Sequence, residues 1–214
     1  MVWNLLLKAL GETLYMVGFS LVLSAFFGIP LGIILVITEP RHIKPAPLIH
    51  KLLSTVINIG RSLPFIILLV AIIPFTRLVV GTSIGTTGAI VPLTVSAIPF
   101  VARVVESALL EIDRGVIEAA QAMGATTIQI ITKVMIPEAV PGLILGLTMV
   151  AVSLIGYSAM AGAIGGGGLG DLSIRYGYQR FRGDIMFLTV VILVAIVQGL
   201  QSFGSWLAAR LNRR

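Results

Sequence analysis

The most specific pattern in the chain is Glu118-Ala119-Ala120-Gln121-Ala122-Met123-Gly124, followed after nine residues by Val134-Met135-Ile136-Pro137. It holds no nucleophile and no metal-ligand set, so the chemistry it offers is contact. Ile117, Ala120, Gly124, Ile128, Ile131 and Met135 recur at spacings of three or four, which predicts an apolar stripe along a helix. The small residues Ala119, Ala120, Ala122, Gly124 and Ala125 would let another surface approach the backbone closely. Residues 111–138 also hold six charged groups, Glu111, Asp113, Arg114, Glu118, Lys133 and Glu138, which places the segment in water. Periodicity alone leaves two uses for such a stripe: packing on this chain's own helix ends, or seating on a partner protein.

Other patterns carry less. Gly165-x-Gly167-x-x-Gly170 satisfies the dinucleotide fingerprint literally, yet no strand precedes it and no βαβ unit surrounds it. A closely packed hinge is the expectation there. No GxxxxGK[ST] occurs, so the chain has no phosphate-binding loop of its own. There is no cysteine, and His42 and His50 have no cluster of metal-ligating residues around them, so neither thiol nor metal chemistry is expected. Gly28-xxx-Gly32 and Gly142-xxx-Gly146 are candidate helix-contact pairs.

The elements that must position these residues are membrane spans. The chain is 57% hydrophobic and 11% charged, with a mean hydropathy of +1.05, whereas soluble domains are roughly 25% charged. Its formal charge of +6 comes from basic residues lying between apolar runs, a membrane-topology signal that argues for contact with lipid and against nucleic acid. The uncharged run Thr13–Thr38 has 26 residues and would rise about 39 Å as a helix against a hydrocarbon core of about 30 Å. Its length, with no small-residue cleavage site closing it, argues against a cleaved signal peptide. Four further spans are expected, giving about 13–38, 56–80, 89–110, 139–160 and 185–209 in a single 1–214 domain. The fold class is therefore an all-α, five-helix polytopic membrane protein. Arg61 and Arg77 are 16 residues apart, about 24 Å along a helix, and read as anchors reaching opposite interfaces. Arg103 and Glu106 can pair on one helix face. Pro137 and Glu138 suit the first turn of the fourth span. Pro30, Pro64, Pro74, Pro92, Pro99 and Pro141 lie in or at the ends of spans, where they bend helices.

Five spans put the termini on opposite sides. With the segment about 111–138 cytoplasmic, that side has ten basic residues (Arg41, Lys44, Lys51, Arg61, Arg103, Arg114, Lys133, Arg210, Arg213, Arg214) and the other five (Lys8, Arg77, Arg175, Arg180, Arg182). The bias favours an outer N terminus and a cytoplasmic C terminus. Tyr157, Ser158 and Met160, at the outer end of the fourth span, are the expected gate or pathway residues, with helix packing as the competing use. No acidic residue sits mid-span to carry a proton or sodium ion. An ion-coupled secondary transporter or channel acting without an ATPase is the alternative from another class.

The motif from Glu118 to Pro137 resembles the cytoplasmic-loop signature of ABC importer permeases, EAA-x3-G-x9-I-x-L-P, with Val134 for Ile and Ile136 for Leu. The resemblance extends over nearly the whole chain and is narrowest toward methionine-importer permeases, through Arg61–Leu69, Ile73–Arg77, Val80–Gly85, Ile90–Thr94 and Gly156–Met160. It implies a type I importer fold in the bacterial cytoplasmic membrane. It implies a permease homodimer, two ATP-binding subunits that hold Mg-ATP, and an extracytoplasmic binding protein. This chain itself would be no enzyme and bind no cofactor. Glu118, Ala119, Ala120, Met123, Gly124, Ile128 and Pro137 would then belong to a coupling helix and its flank, seated in a groove of the ATPase. Asp171–Arg182 departs from the family by its higher charge.

Overall fold

A computed structural model describes residues 2–40 and 42–212. Three of the ten basic residues on the expected inner side, Arg41, Arg213 and Arg214, lie outside them. The described elements are helices: α1 (Val2–Ile37), α2 (Pro47–Ser62), α3 (Phe65–Ala71), α4 (Ile73–Val80), α5 (Gly85–Leu110), α6 (Arg114–Ala122), α7 (Thr127–Gln129), α8 (Ile136–Ala161), α9 (Gly168–Leu172) and α10 (Gly183–Leu211), with wide π turns at Ile130–Met135, Gly162–Gly166 and Ser173–Tyr178. Among the described residues, four stretches are long and apolar enough to cross a membrane alone, and the bent pair α2–α3 makes a fifth when taken together.

α5 is the central element, burying Leu93, Ala97, Val101, Val105 and Leu109. α1 lies along it, and the Gly28/Gly32 pair sets their closeness. A Cβ on Gly28 would sit 2.6 Å from the Val101 Cβ, and one on Gly32 would sit 2.6 Å from the Ala102 carbonyl oxygen. Gly146 meets Val104, and a Cβ on Gly142 would lie 3.3 Å from the Ala108 Cβ, so the second glycine pair seats α8 on α5. Both pairs serve packing inside the chain. α10 buries only Ile185, Thr189, Gly204 and Ala208, the pattern of an outer helix facing lipid.

The first span begins earlier than its uncharged run. Lys8 and Glu12, the charges that precede that run, pair at 3.9 Å across one turn of an unbroken helix, so α1 rises about 54 Å and overshoots the hydrocarbon. The second span departs furthest from expectation, because 56–80 is three helices. The residue before a proline is pushed out of the α region, and Leu63 accordingly adopts ψ 123° before Pro64. α2 and α3 then meet at 99°. Pro74 sits in the first turn of α4, and left-handed Gly81 (φ +76°) ends it. The fourth span also starts earlier: helical structure runs from Thr127 to Gly166, and Pro137 lies inside it, after a π turn. A wide turn spares the hydrogen bond that proline cannot donate.

Candidate coupling surface and mid-span cavity

After α5 the chain turns through buried Ile112 to Asp113, whose Oδ1 accepts the Gly115 N–H at 2.7 Å and caps α6. α6 ends at Gly124, which takes φ +80°. The Gly124 N–H donates to the Gln121 carbonyl (2.9 Å) and the Ala125 N–H to that of Ala120 (3.1 Å). These two bonds form a Schellman cap, which requires a left-handed residue where Gly124 stands. One residue on, Thr126 and Gln129 cap α7 reciprocally: the Thr126 N–H donates to Gln129 Oε1 (2.8 Å) and the Gln129 N–H to Thr126 Oγ1 (3.3 Å).

The expected single stripe is therefore cut in two at Gly124. Ile117, Ala120 and Met135 turn inward and join a core with Leu109, Ile112 and Ile130. Ile131 is half-buried, while Gly124 and Ile128 face solvent. Outward with them stand Glu118, Ala119, Ala122 and Met123. Met123 is 81% exposed and Ile128 72% exposed. Three residues of the stripe therefore pack within the chain, while two, Gly124 and Ile128, are left uncovered by it. Nothing lies within 4 Å of the Cβ position of Gly124, so within the chain the glycine answers a backbone requirement. Pro137 is also exposed, on the rim of a neighbouring cleft with Val116, Lys133 and Val134.

The three expected gate residues are not brought together, since successive residues on a helix point about 100° apart. Tyr157 stacks on Phe65 of α3 with ring centroids 4.7 Å apart and planes 4° from parallel. Ser158 is 2% exposed, and its hydroxyl donates to the Ile155 carbonyl at 2.8 Å. Met160 is largely exposed on another side.

Tyr157 instead lines a cavity of about 110 Å³ with Arg61, Phe65, Ser96, Phe100 and Ser153. A cleft of about 580 Å³ shares Arg61 and Phe100 with it and continues past Arg103, Glu106 and Glu111 toward the α6 end. Arg103 pairs with Glu106 as expected and also donates to Ser54 Oγ (2.6 Å) and Asn58 Oδ1 (2.9 Å), tying α5 to α2. Arg61 is not an interface anchor. Because the span breaks after Ser62, its guanidinium lies over Phe100, 5.6 Å from the ring centroid and midway along α5. Arg61-Ser62-Leu63-Pro64 held the signal, since a helix broken at proline does not carry a preceding arginine to the membrane surface. Arg77 does stand at a helix end, bonded to Ser83 Oγ at 3.2 Å.

At the opposite end from α6, the glycine-rich stretch folds into a tight buried turn. Gly165, Gly167 and Gly168 have positive φ. The Gly168 N–H donates to Glu12 Oε2 (2.8 Å) and the Leu169 N–H to Thr13 Oγ1 (2.9 Å). A Cβ on Gly170 would lie 2.5 Å from the Ala159 Cα. The glycines of the apparent dinucleotide fingerprint serve this turn and its packing. Glu12 and Thr13 carried no local sequence signal for that role.

A family model described as binding-protein-dependent transport system inner membrane component matches residues 14–214. A Vibrio cholerae protein described as a probable D-methionine transport system permease, MetI, is 54% identical over 99% of this chain and 94% of its own. Its Pasteurella multocida counterpart is 50% identical over 100% and 98%. Among solved structures, the MetNI methionine ABC transporter in inward-facing conformations contains a chain that superposes with a TM-score of 0.97 at 47% identity, covering 99% of this chain and 98% of that one. An amino acid ABC transporter crystallised with histidines, at 21% identity and TM-score 0.74, shares the fold. The chain belongs to the family of inner membrane components of binding-protein-dependent transport systems, with the type I ABC importer permease fold.

Proposed function

We propose that this chain is the membrane-spanning permease of an ATP-driven importer for methionine, working as a homodimer with two ATP-hydrolysing subunits and an extracytoplasmic binding protein. The observation that carries the reading is the outward face of α6 and its cap. Apolar Met123 and Ile128 stand exposed on the charged segment that joins α5 to α8, which calls for a protein cover. The substrate comes from the names of the relatives and of the MetNI structure.

Mg-ATP is held by the partner subunits. Closure of the ATPase pair pushes α6, whose inner face packs on the π turn Ile130–Met135 that leads into α8, so the push reaches the spans as alternating access. The glycine-rich end with the N terminus faces outward, toward the binding protein, and the α6 end with the C terminus faces the cytoplasm, as the basic-residue bias favours. Tyr157 belongs to the pathway, and Ser158 supports the helix that carries it.

The test is reconstitution of the chain with its ATPase and binding protein in proteoliposomes. ATP-dependent accumulation of labelled methionine is expected. Uptake driven by an ion gradient without ATPase would contradict the reading. Cysteine labelling fixes the orientation in this cysteine-free chain: Thr126→Cys protected from an impermeant reagent in intact cells and Tyr178→Cys labelled. The reverse pattern would put α6 out of reach of any cytoplasmic ATPase.

A further inference from the structure

Two arginines lie between the ends of the spans, and they differ in their partners. Arg103 is neutralised by Glu106 and bonded to two side chains of α2. Arg61 has no carboxylate within ion-pairing reach among the described residues; its one aromatic partner is Phe100. Its cavity neighbours Ser96 and Phe100 sit near the middle of α5, about 15–22 Å from the ends of that helix. An unneutralised guanidinium at this depth is costly if it faces lipid, so it faces the interior of the assembly or a water-filled path.

The surroundings of Arg61 suit one class of ligand. Its fork of N–H donors matches a carboxylate in bidentate fashion. The Phe65–Tyr157 stack lines the same cavity, and aromatic rings make favourable contacts with a thioether. The Ser96 and Ser153 hydroxyls, also in the lining, donate to the Leu93 and Met149 carbonyls of their own helices. That leaves Arg61 as the cavity's one formal charge. The cavity meets the larger cleft at Arg61 and Phe100, so the arginine stands where a solute would pass between them.

We propose that Arg61 receives the carboxylate of the transported amino acid at a transient mid-membrane site, with the Phe65–Tyr157 stack against its side chain. The inference rests on the importer reading and adds to it a binding group inside the permease. The positive charge gives the zwitterion a stopping point where no other charge of the cavity replaces its hydration, and the absence of a paired acid keeps the guanidinium available.

The experiment uses the reconstituted complex with its ATPase and binding protein. Arg61→Gln is expected to lower methionine uptake at least tenfold while binding-protein-stimulated ATP hydrolysis stays within about twofold. Arg61→Lys, which keeps the charge and loses the fork, should fall between. A Ser153→Cys complex retaining Arg61 should be labelled more slowly by a thiol reagent in the presence of methionine. Methioninol, which lacks the carboxylate, should give no such protection, and adding Arg61→Gln should abolish the protection by methionine. Unchanged uptake in Arg61→Gln, or protection that persists without Arg61, would overturn the site. If Arg61→Gln fails to assemble, Arg61→Lys carries the test: equal protection by methionine and methioninol in that assembled complex would overturn it too. Absence of methionine uptake by the unaltered complex would instead remove the importer reading, and the carboxylate site with it.

Discussion

At the α6 end of the molecule, each turn is closed by a near neighbour in sequence: Asp113 caps Gly115, Gly124 closes on Gln121, and Thr126 and Gln129 cap each other. At the glycine-rich end, the backbone N–H groups of Gly168 and Leu169 are satisfied by Glu12 and Thr13, 156 positions away. The first end is a locally specified shape with an uncovered apolar surface. The second is a buried turn that exists only because another helix meets it. In the importer we propose, the α6 end is the part another protein grips, and it gains from holding its form by itself, whereas the glycine-rich end is held by the helices around it.

The sharpest way to break this contrast is at Gly124. At φ +80° a leucine costs about 1–2 kcal/mol in backbone strain and loosens the cap that presents Met123, so Gly124→Leu should lose most uptake and ATPase co-purification while still inserting. Asparagine tolerates the left-handed region, so Gly124→Asn should keep much of both. Equal damage from the two would mean that the glycine serves close approach by the partner, not the cap. Thr13→Val is the counterpart at the other end. It leaves the buried Leu169 N–H without an acceptor, at about 1–3 kcal/mol, and should lower the melting temperature in detergent while ATPase binding stays normal. Loss of ATPase binding in Thr13→Val would erase the distinction between the two ends.

A smaller effect concerns the loop between α1 and α2, near α6. Burial holds the His42 imidazole below its usual pKa, with Glu39 opposing and Arg114 adding to the shift. The unfolded chain therefore takes up this proton first, and stability falls as pH drops through about 6.5. Melting temperatures at pH 5.5 and 7.5 should differ less in His42→Gln than in the unaltered chain; an unchanged difference would exclude His42 as the source.

Local and tertiary signals divide along the same line. Hydropathy located 89–110 against Gly85–Leu110 and 185–209 against Gly183–Leu211, because crossing a membrane needs length and apolarity, both local properties. It placed 56–80 as one span because hydropathy sums composition and ignores direction; Leu63-Pro64 decided the direction. The loop motif was readable since its caps are short-range. The stripe was misjoined at Gly124 because a period of three to four continues in register across a break. Tyr157, Ser158 and Met160 were grouped by sequence position, but a helix turns consecutive residues to different sides, so only Tyr157 of the three lines the cavity beside Arg61. The links from Glu12 and Thr13, like the setting of Arg61, are tertiary, and nothing in their own segments announces them.

If the ATP-hydrolysing subunit of the proposed importer grips the exposed face of α6 and its cap, a photo-crosslinker on Met123→Cys in the assembled complex will reach that subunit. A crosslink to the ATPase subunit, together with loss of ATPase co-purification in Met123→Asp, is the expected result. A Met123→Cys adduct only with lipid or with the permease itself, and a Met123→Asp complex that assembles and transports as the unaltered one does, would contradict it.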